Sequence, residues 1–224
     1  MVLNETMYKK TSKYLIFLQN TLTLPQRNTI MDIEALTQEA IGLLERMVSL
    51  PSVSREEKEV ADLLENFMKE RGKTPCRTGH NLWCISPFYR TGRPTLLLNA
   101  HIDTVKPAAS WTRDPFRPTR ESERIYGLGT NDDGASVVAL WQAFCTLSGK
   151  EQPYNLIFLA SCEEEVSGKN GIESVLPLLP HIDLALVGEP TGMQPAIAEK
   201  GLMVLDVTAH GKSGHAARNE GENA

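Results

Sequence analysis

The chain has 224 residues, 41% of them hydrophobic, which is enough for one large domain or roughly one and a half. Its formal net charge is −5 and no basic patch stands out, which argues against nucleic acid and anionic membrane as partners. Four scattered cysteines (Cys76, Cys84, Cys145 and Cys162) form no C-x-x-C pair, so a structural zinc ribbon has no support.

The cysteines lie in apolar segments, which suits buried free thiols in a reducing cytosol, with a Cys76–Cys84 disulfide left open. The apolar run Tyr14-Leu15-Ile16-Phe17-Leu18 is too short to span a bilayer, and no convincing small-residue cleavage site follows it. Residues 1–30 read as a poorly patterned extension, with Met31 the expected physiological start. From Ile33 to Val48, apolar residues at Ile33, Leu36, Ala40, Leu43, Leu44 and Met47 have helical spacing. Pro51 closes that helix. Ser54-Arg55-Glu56-Glu57 reads as a capping box opening a second helix, with Val60, Leu63, Leu64 and Phe67 as its stripe and Gly72 as its stop. A strand is predicted over residues 81–85, then a turn-rich connection over 87–94.

Next comes Leu96-Leu97-Leu98-Asn99-Ala100-His101-Ile102-Asp103, an apolar run of strand length that ends in His and Asp. Residues 107–124 are too proline-rich for a helix and read as an irregular loop. Glycines and the pair Asp132-Asp133 lead into a helix with Val137, Val138, Trp141, Phe144 and Cys145 on its inner face. Residues 156–160 form a second buried strand, ending in Glu163-Glu164-Glu165. Residues 174–179 suggest a short helix closed by Pro180. Residues 184–187 form a third buried strand, ending in Gly188-Glu189-Pro190-Thr191. Alternating strands and helices imply an α/β layer fold, and parallel strands bring their carboxyl ends together. From Lys200 the pattern switches to the alternation of a half-buried strand over residues 202–209, the expected start of a second domain.

His101, Asp103, Asp132, Asp133, Glu163, Glu164, Glu165 and Glu189 therefore gather at one edge. A His and an Asp at one strand end are often just surface groups. So many ionised carboxylates, however, need cations to offset their repulsion. One imidazole with several carboxylates suits zinc, manganese or cobalt, and a spare Glu beside such a site suits a general base. The rivals are weaker. Asp132 stands where the third Gly of a dinucleotide fingerprint belongs, and Asp206 replaces the leading Gly of a P-loop before Gly211-Lys212-Ser213. No G-x-S-x-G elbow is present.

The ordered set His101-x-Asp103, Gly129-x-x-Asp132, Glu163-Glu164-Glu165 and Gly188-Glu189-Pro190-Thr191 resembles the M20 metallopeptidase family. That family includes acetylornithine deacetylase, succinyl-diaminopimelate desuccinylase, aminoacylase and glutamate carboxypeptidase. The likeness runs from about Ile33 to the last residue. His101-Ile102-Asp103-Thr104-Val105 and Trp111-Thr112-Arg113-Asp114-Pro115-Phe116 look most like the acetylornithine deacetylase branch. The resemblance implies a mostly parallel sheet sandwiched by helices. The catalytic domain would span residues 31–198, and an inserted lid or dimerisation domain would start at 199–224. It implies two divalent ions, zinc first, with cobalt or manganese as alternatives. His101 and Glu189 would hold one ion and Glu165 the other, with Asp132 bridging and Asp103 orienting His101. Glu164 would take a proton from the attacking water and pass it to the leaving amine. The peptide after Asp132 would be cis.

Gly211-Lys212-Ser213-Gly214-His215-Ala216-Ala217 resembles the family's lid motif. His215 would then reach the active site of a second copy, in a homodimer, and steady the developing oxyanion. The implied reaction removes an N-acyl group from a small amino acid in the cytoplasm. N-acetyl- or N-succinyl-ornithine of arginine biosynthesis is the first substrate. Desuccinylase, aminoacylase, dipeptidase and a non-catalytic metal-binding relative remain alternatives. Two features depart from the family. Asp133-Gly134-Ala135 replaces a Met-Lys-Gly, losing a lysine. The family's final metal-binding His falls beyond Ala224, so residues 1–224 alone are expected to be inactive or nearly so.

Overall fold

The computed structural model describes residues 32–198 and 207–212. Helix α1 (Ile33–Val48) starts at Asp32, whose side chain accepts a hydrogen bond from the Ala35 N–H, and buries Leu43, Leu44, Met47 and Val48. Helix α2 (Lys58–Glu70) buries Val60, Ala61, Leu64, Phe67 and Met68. Five strands form one sheet in the order β1-β2-β6-β3-β7: β1 (Cys76–Thr78), β2 (Asn81–Ile85), β3 (Thr95–His101), β6 (Asn155–Ser161) and β7 (Leu184–Val187). Strands β6, β3 and β7 run parallel, while β2 joins β6 antiparallel and carries β1 as a hairpin. The sheet is thus mixed, because a hairpin closes one side of an otherwise parallel ladder. Helix α3 (Ala135–Leu147) crosses between β3 and β6.

Alternation along the strands splits the core between two faces. Leu82, Cys84, Leu98, Ala100, Leu156, Phe158 and Ala160 pack against the three long helices. Trp83, Leu97, Ile157 and Leu159 pack on the other face around Val175 of the short helix α4 (Ile172–Val175). Strand β6 is buried along its whole length, as expected of a strand covered on both faces. An aromatic cluster ties α3 to it: Trp141 meets Phe158 edge-on at 5.4 Å, and Phe144 lies 6.1 Å from the same ring.

Several expectations need correction. The capping box does not form. Arg55 takes a positive φ of 78°, Ser54 bonds elsewhere and the Glu57 side chain turns inward. The loop after β3 contains a small ribbon of β4 (Thr119–Glu121) and β5 (Arg124–Tyr126). Ser122, not a glycine, takes the positive φ at its turn, so the usual hairpin signal was missing. Strand β7 is not buried: Ala185, Leu186 and Val187 are exposed, and among the described residues it pairs with β3 alone. Cys84 and Cys162 are buried free thiols, but Cys76 is exposed, and all four cysteines are free. Among the described residues no helix is long and apolar enough to cross a membrane.

The chain divides into two compact units, one reaching as far as Pro190 and the other Thr191–Ala224. The expected strand over residues 202–209 lies outside the described residues up to Asp206, and residues 207–209 are irregular. Residues 1–31 and His215 also lie outside them. Replacing Phe158 with Ala removes the ring on which Trp141 and Phe144 rest, at an expected loss of about 3–5 kcal/mol. Urea denaturation reads this, and a loss below about 1 kcal/mol would contradict so central a place in the core.

Candidate metal centre

Register decides where the site lies. On β3, His101 pairs with Ser161 of β6 and Asn99 pairs with Val187 of β7. The Gly188 N–H continues that ladder onto the Asn99 carbonyl at 2.8 Å. The residues that follow β3, β6 and β7 therefore leave the sheet at the same edge.

His101 ends β3 and is 2% exposed. Its Nδ1 lies 2.9 Å from the backbone carbonyl of Asp103. A carbonyl can only accept, so Nδ1 carries the proton and Nε2 is the nitrogen left to face the site. Nε2 lies 3.0 Å from Asp132 Oδ1 and 3.9 Å from Glu164 Oε2. Donor atoms of His101, Asp132 and Glu189 all fall within 4.8 Å of one another.

Asp132 reaches this point from an irregular turn, Thr130–Gly134, that precedes α3. The Asp132–Asp133 peptide is cis. Gly129 opens the turn at φ +74°, and the Gly134 N–H closes it on the Gly129 carbonyl at 2.9 Å. Asp133 points inward, 1% exposed, and its Oδ2 accepts the His101 N–H at 3.1 Å. This contact was not anticipated. The doubled Asp was the hint the sequence offered, since only its first member is needed to face the site.

Asp103 is fully buried. Its carboxylate accepts the Ser54 hydroxyl at 2.8 Å, the Glu164 N–H at 3.0 Å and the Glu165 N–H at 3.1 Å, while Oδ1 lies 3.4 Å from His101 Nδ1. It thus meets His101 chiefly through its main chain and anchors the glutamate turn through its side chain. The turn itself runs from Glu163 (φ 54°) through a short 3-10 segment, Glu164–Val166. Glu165 is not among the three converging donors, and His215 lies outside the described residues.

Charge is crowded here. Burial works against a charged His101 ring, but the hydrogen bond and charge of Asp103, with Asp133 and Glu164, raise it to about 10. Burial and the neighbouring carboxylates raise Glu189 to about 7 despite His101. Burial, then the charge of Asp132, also raises Glu165. Burial pushes Asp133 up to about 6. Asp103 goes the other way. Burial opposes its charge, but bonds from His101, Ser54 and the two glutamate amides hold it below the usual range. Burial first, and then the neighbouring carboxylates, favour protons on these outward acids, and a divalent cation would offset both effects.

Residues 97–216 match Peptidase family M20/M25/M40, more than half of the chain. The chain belongs to this family. Among curated M20 relatives, acetylornithine deacetylase of Proteus mirabilis (strain HI4320) is 29% identical over 199 residues, covering 82% of this chain and 51% of that protein. Acetylornithine deacetylase of Aliivibrio salmonicida (strain LFI1238) is 35% identical over 130 residues, covering 57% and 34%. The chain spans about half the length of the curated relatives it matches, or less. An M20 metallo-carboxypeptidase from Sulfolobus solfataricus superposes with a TM-score of 0.56 at 25% identity, over 67% of this chain and 37% of that one. A dinuclear metal binding M20 peptidase from Bacillus subtilis gives 0.53 at 18%, over 69% and 43%, and shows the fold alone.

The turn that carries Asp132 leaves no room at Gly134. A Cβ there would lie 2.6 Å from the Gly129 carbonyl oxygen and 2.7 Å from Leu44 Cδ1. Gly134→Ala is expected to cost about 1–3 kcal/mol. Gly42→Ala on α1, with nothing within 4 Å, should instead stabilise by about 0.5–1 kcal/mol. Thermal denaturation of the pair tests this, and equal shifts would contradict it.

Proposed function

We propose that the protein is a metal-dependent amidohydrolase that removes an N-acyl group from a small amino acid, with N-acetylornithine the first substrate to test. The observation that carries this is the convergence of His101, Asp132 and Glu189 donor atoms from three separate segments of an M20 chain. In this reading His101, Asp132 and Glu189 would hold a divalent ion, and Glu165 would help to hold a second one with Asp132. Zinc is the first expectation, with cobalt or manganese as alternatives. When bound, such ions polarise an amide carbonyl and make water acidic enough to attack near neutral pH.

The chain's own groups do the rest. Asp103 and Asp133 fix His101 through its Nδ1 and its main-chain N–H. Glu164 is half-exposed, and its Oε2 stands 3.9 Å from His101 Nε2. It takes the proton of the attacking water and returns it to the nitrogen of the scissile amide, so that a carboxylate and a free amine leave. The preference for acetylornithine rests on the two deacetylase relatives at 29% and 35% identity. The carboxypeptidase relative at 25% identity favours a second reading, cleavage of a C-terminal peptide bond with the same groups in the same roles. A homodimer in which His215 crosses to the other copy, a cytoplasmic location and a place in arginine biosynthesis complete the first reading.

Three measurements follow. Metal binding must displace protons that Glu189 holds up to about 7 and His101 up to about 10. Zinc affinity by calorimetry should therefore climb from about pH 6 to about pH 9, and His101→Ala should lower it about a hundredfold. A flat profile would contradict the site. In the full-length protein, Glu164→Gln should reduce deacylation about 10²–10⁴-fold with metal content unchanged. A panel of N-acyl amino acids and dipeptides separates the two substrates. A parent without turnover on any of them would overturn the hydrolase.

A further inference from the structure

Glu57 stands outside the chemistry just described, yet it is fully buried at the entrance to α2. A carboxylate is not kept from water without partners. Its Oε2 lies 2.7 Å from His80 Nδ1, and its Oε1 accepts two main-chain N–H groups, from Arg55 at 2.7 Å and from Glu163 at 3.1 Å. The next two amides, of Glu164 and Glu165, go to Asp103. Three successive N–H groups of the glutamate turn are thus held by two buried carboxylates from different parts of the chain.

That turn needs holding. Glu163 and Ser167 both have positive φ, at 54° and 46°, a conformation side-chain-bearing residues rarely adopt. The Glu163 carbonyl accepts the Gly168 N–H, and its side chain accepts from Asn170. Among the described residues, no other group accepts a hydrogen bond from the Glu163 amide. His101, Asp132 and Glu189 make no hydrogen bond to Glu57. The geometry points to a division of labour, and we propose that Glu57, backed by His80, is a positioning residue for the Glu163–Glu165 turn. Through the turn it sets Glu164 and Glu165, and it leaves the His101–Asp132–Glu189 group untouched.

The inference rests on the amidohydrolase reading and predicts a selective defect. In the full-length protein, Glu57→Ala should lower kcat about 10–100-fold with KM little changed. It should weaken one of two bound cobalt ions by a similar factor while the other stays bound, read by titration with visible absorption. Glu57→Gln keeps an acceptor for both main-chain amides and should restore most of kcat. His80→Ala leaves the carboxylate in place and should show the same defect in milder form. If Glu57→Ala does not fold, the Gln and His80 variants decide. Parent-like kcat in Glu57→Ala, or in His80→Ala where the Ala variant at 57 fails to fold, would overturn the proposal. So would equal loss of both ions, or a Gln variant as damaged as the Ala variant. A parent that hydrolyses no acyl amino acid or peptide would sink the enzyme reading instead, and the cobalt titration would still test the positioning role.

Discussion

Parallel pairing of β3 with β6 and β7 is the constraint on which the site depends. His101 lies opposite Ser161, and the ladder with β7 runs on through Gly188. A slip of one residue in either pair would turn alternate side chains to the other face and carry His101 or Glu189 away from the edge. The apolar faces of β3 and β6 forbid that slip, because Leu98, Ala100, Phe158 and Ala160 would leave the helices that cover them. The same burial that makes the sheet stable therefore fixes the spacing of the polar groups at its end.

The arrangement at that edge is electrostatically unbalanced in a directed way. The outward carboxylates, Glu189 and Glu165, keep protons more readily than usual, whereas Asp103 gives its proton up more readily. Burial favours the protonated form of all three, and hydrogen bonds to the charged form overcome it only at Asp103. Asp103 receives N–H and O–H donors from Ser54, Glu164 and Glu165, but Glu189 and Glu165 face other acids. Asp103 is thus held as an anion by its donors, whereas a cation placed among the outward groups would relieve their repulsion. Gly188 shows how tightly this edge is built, since a Cβ there would sit 2.4 Å from Ser136 Cβ.

Much of this was legible in the sequence because a strand and its polar end announce themselves by the same break. An apolar run such as 96–100 that stops at His101 gives both a strand and its polar end. The helix at Ile33–Val48 and the strand at Asn81–Ile85 were readable from apolar spacing and from proline and glycine boundaries. What sequence could not show depends on distant partners. Ser54 and Glu57 looked like a local cap because their spacing is right for one, but Asp103, His80 and Glu163 bind them from 23 to 106 residues away. The β4–β5 ribbon lacks a glycine at its turn, so nothing marked it. The exposure of β7 could not be foreseen, since Leu184-Ala185-Leu186-Val187 is as apolar as a strand covered on both faces.

Three side chains from separate segments, His101, Asp132 and Glu189, are proposed to share one divalent ion. Crystals grown with zinc and measured on both sides of its absorption edge test this most directly. An anomalous peak is expected about 2.0–2.2 Å from His101 Nε2 and from carboxylate oxygens of Asp132 and Glu189. Zinc bound elsewhere, or none bound with these three side chains apart, would contradict it.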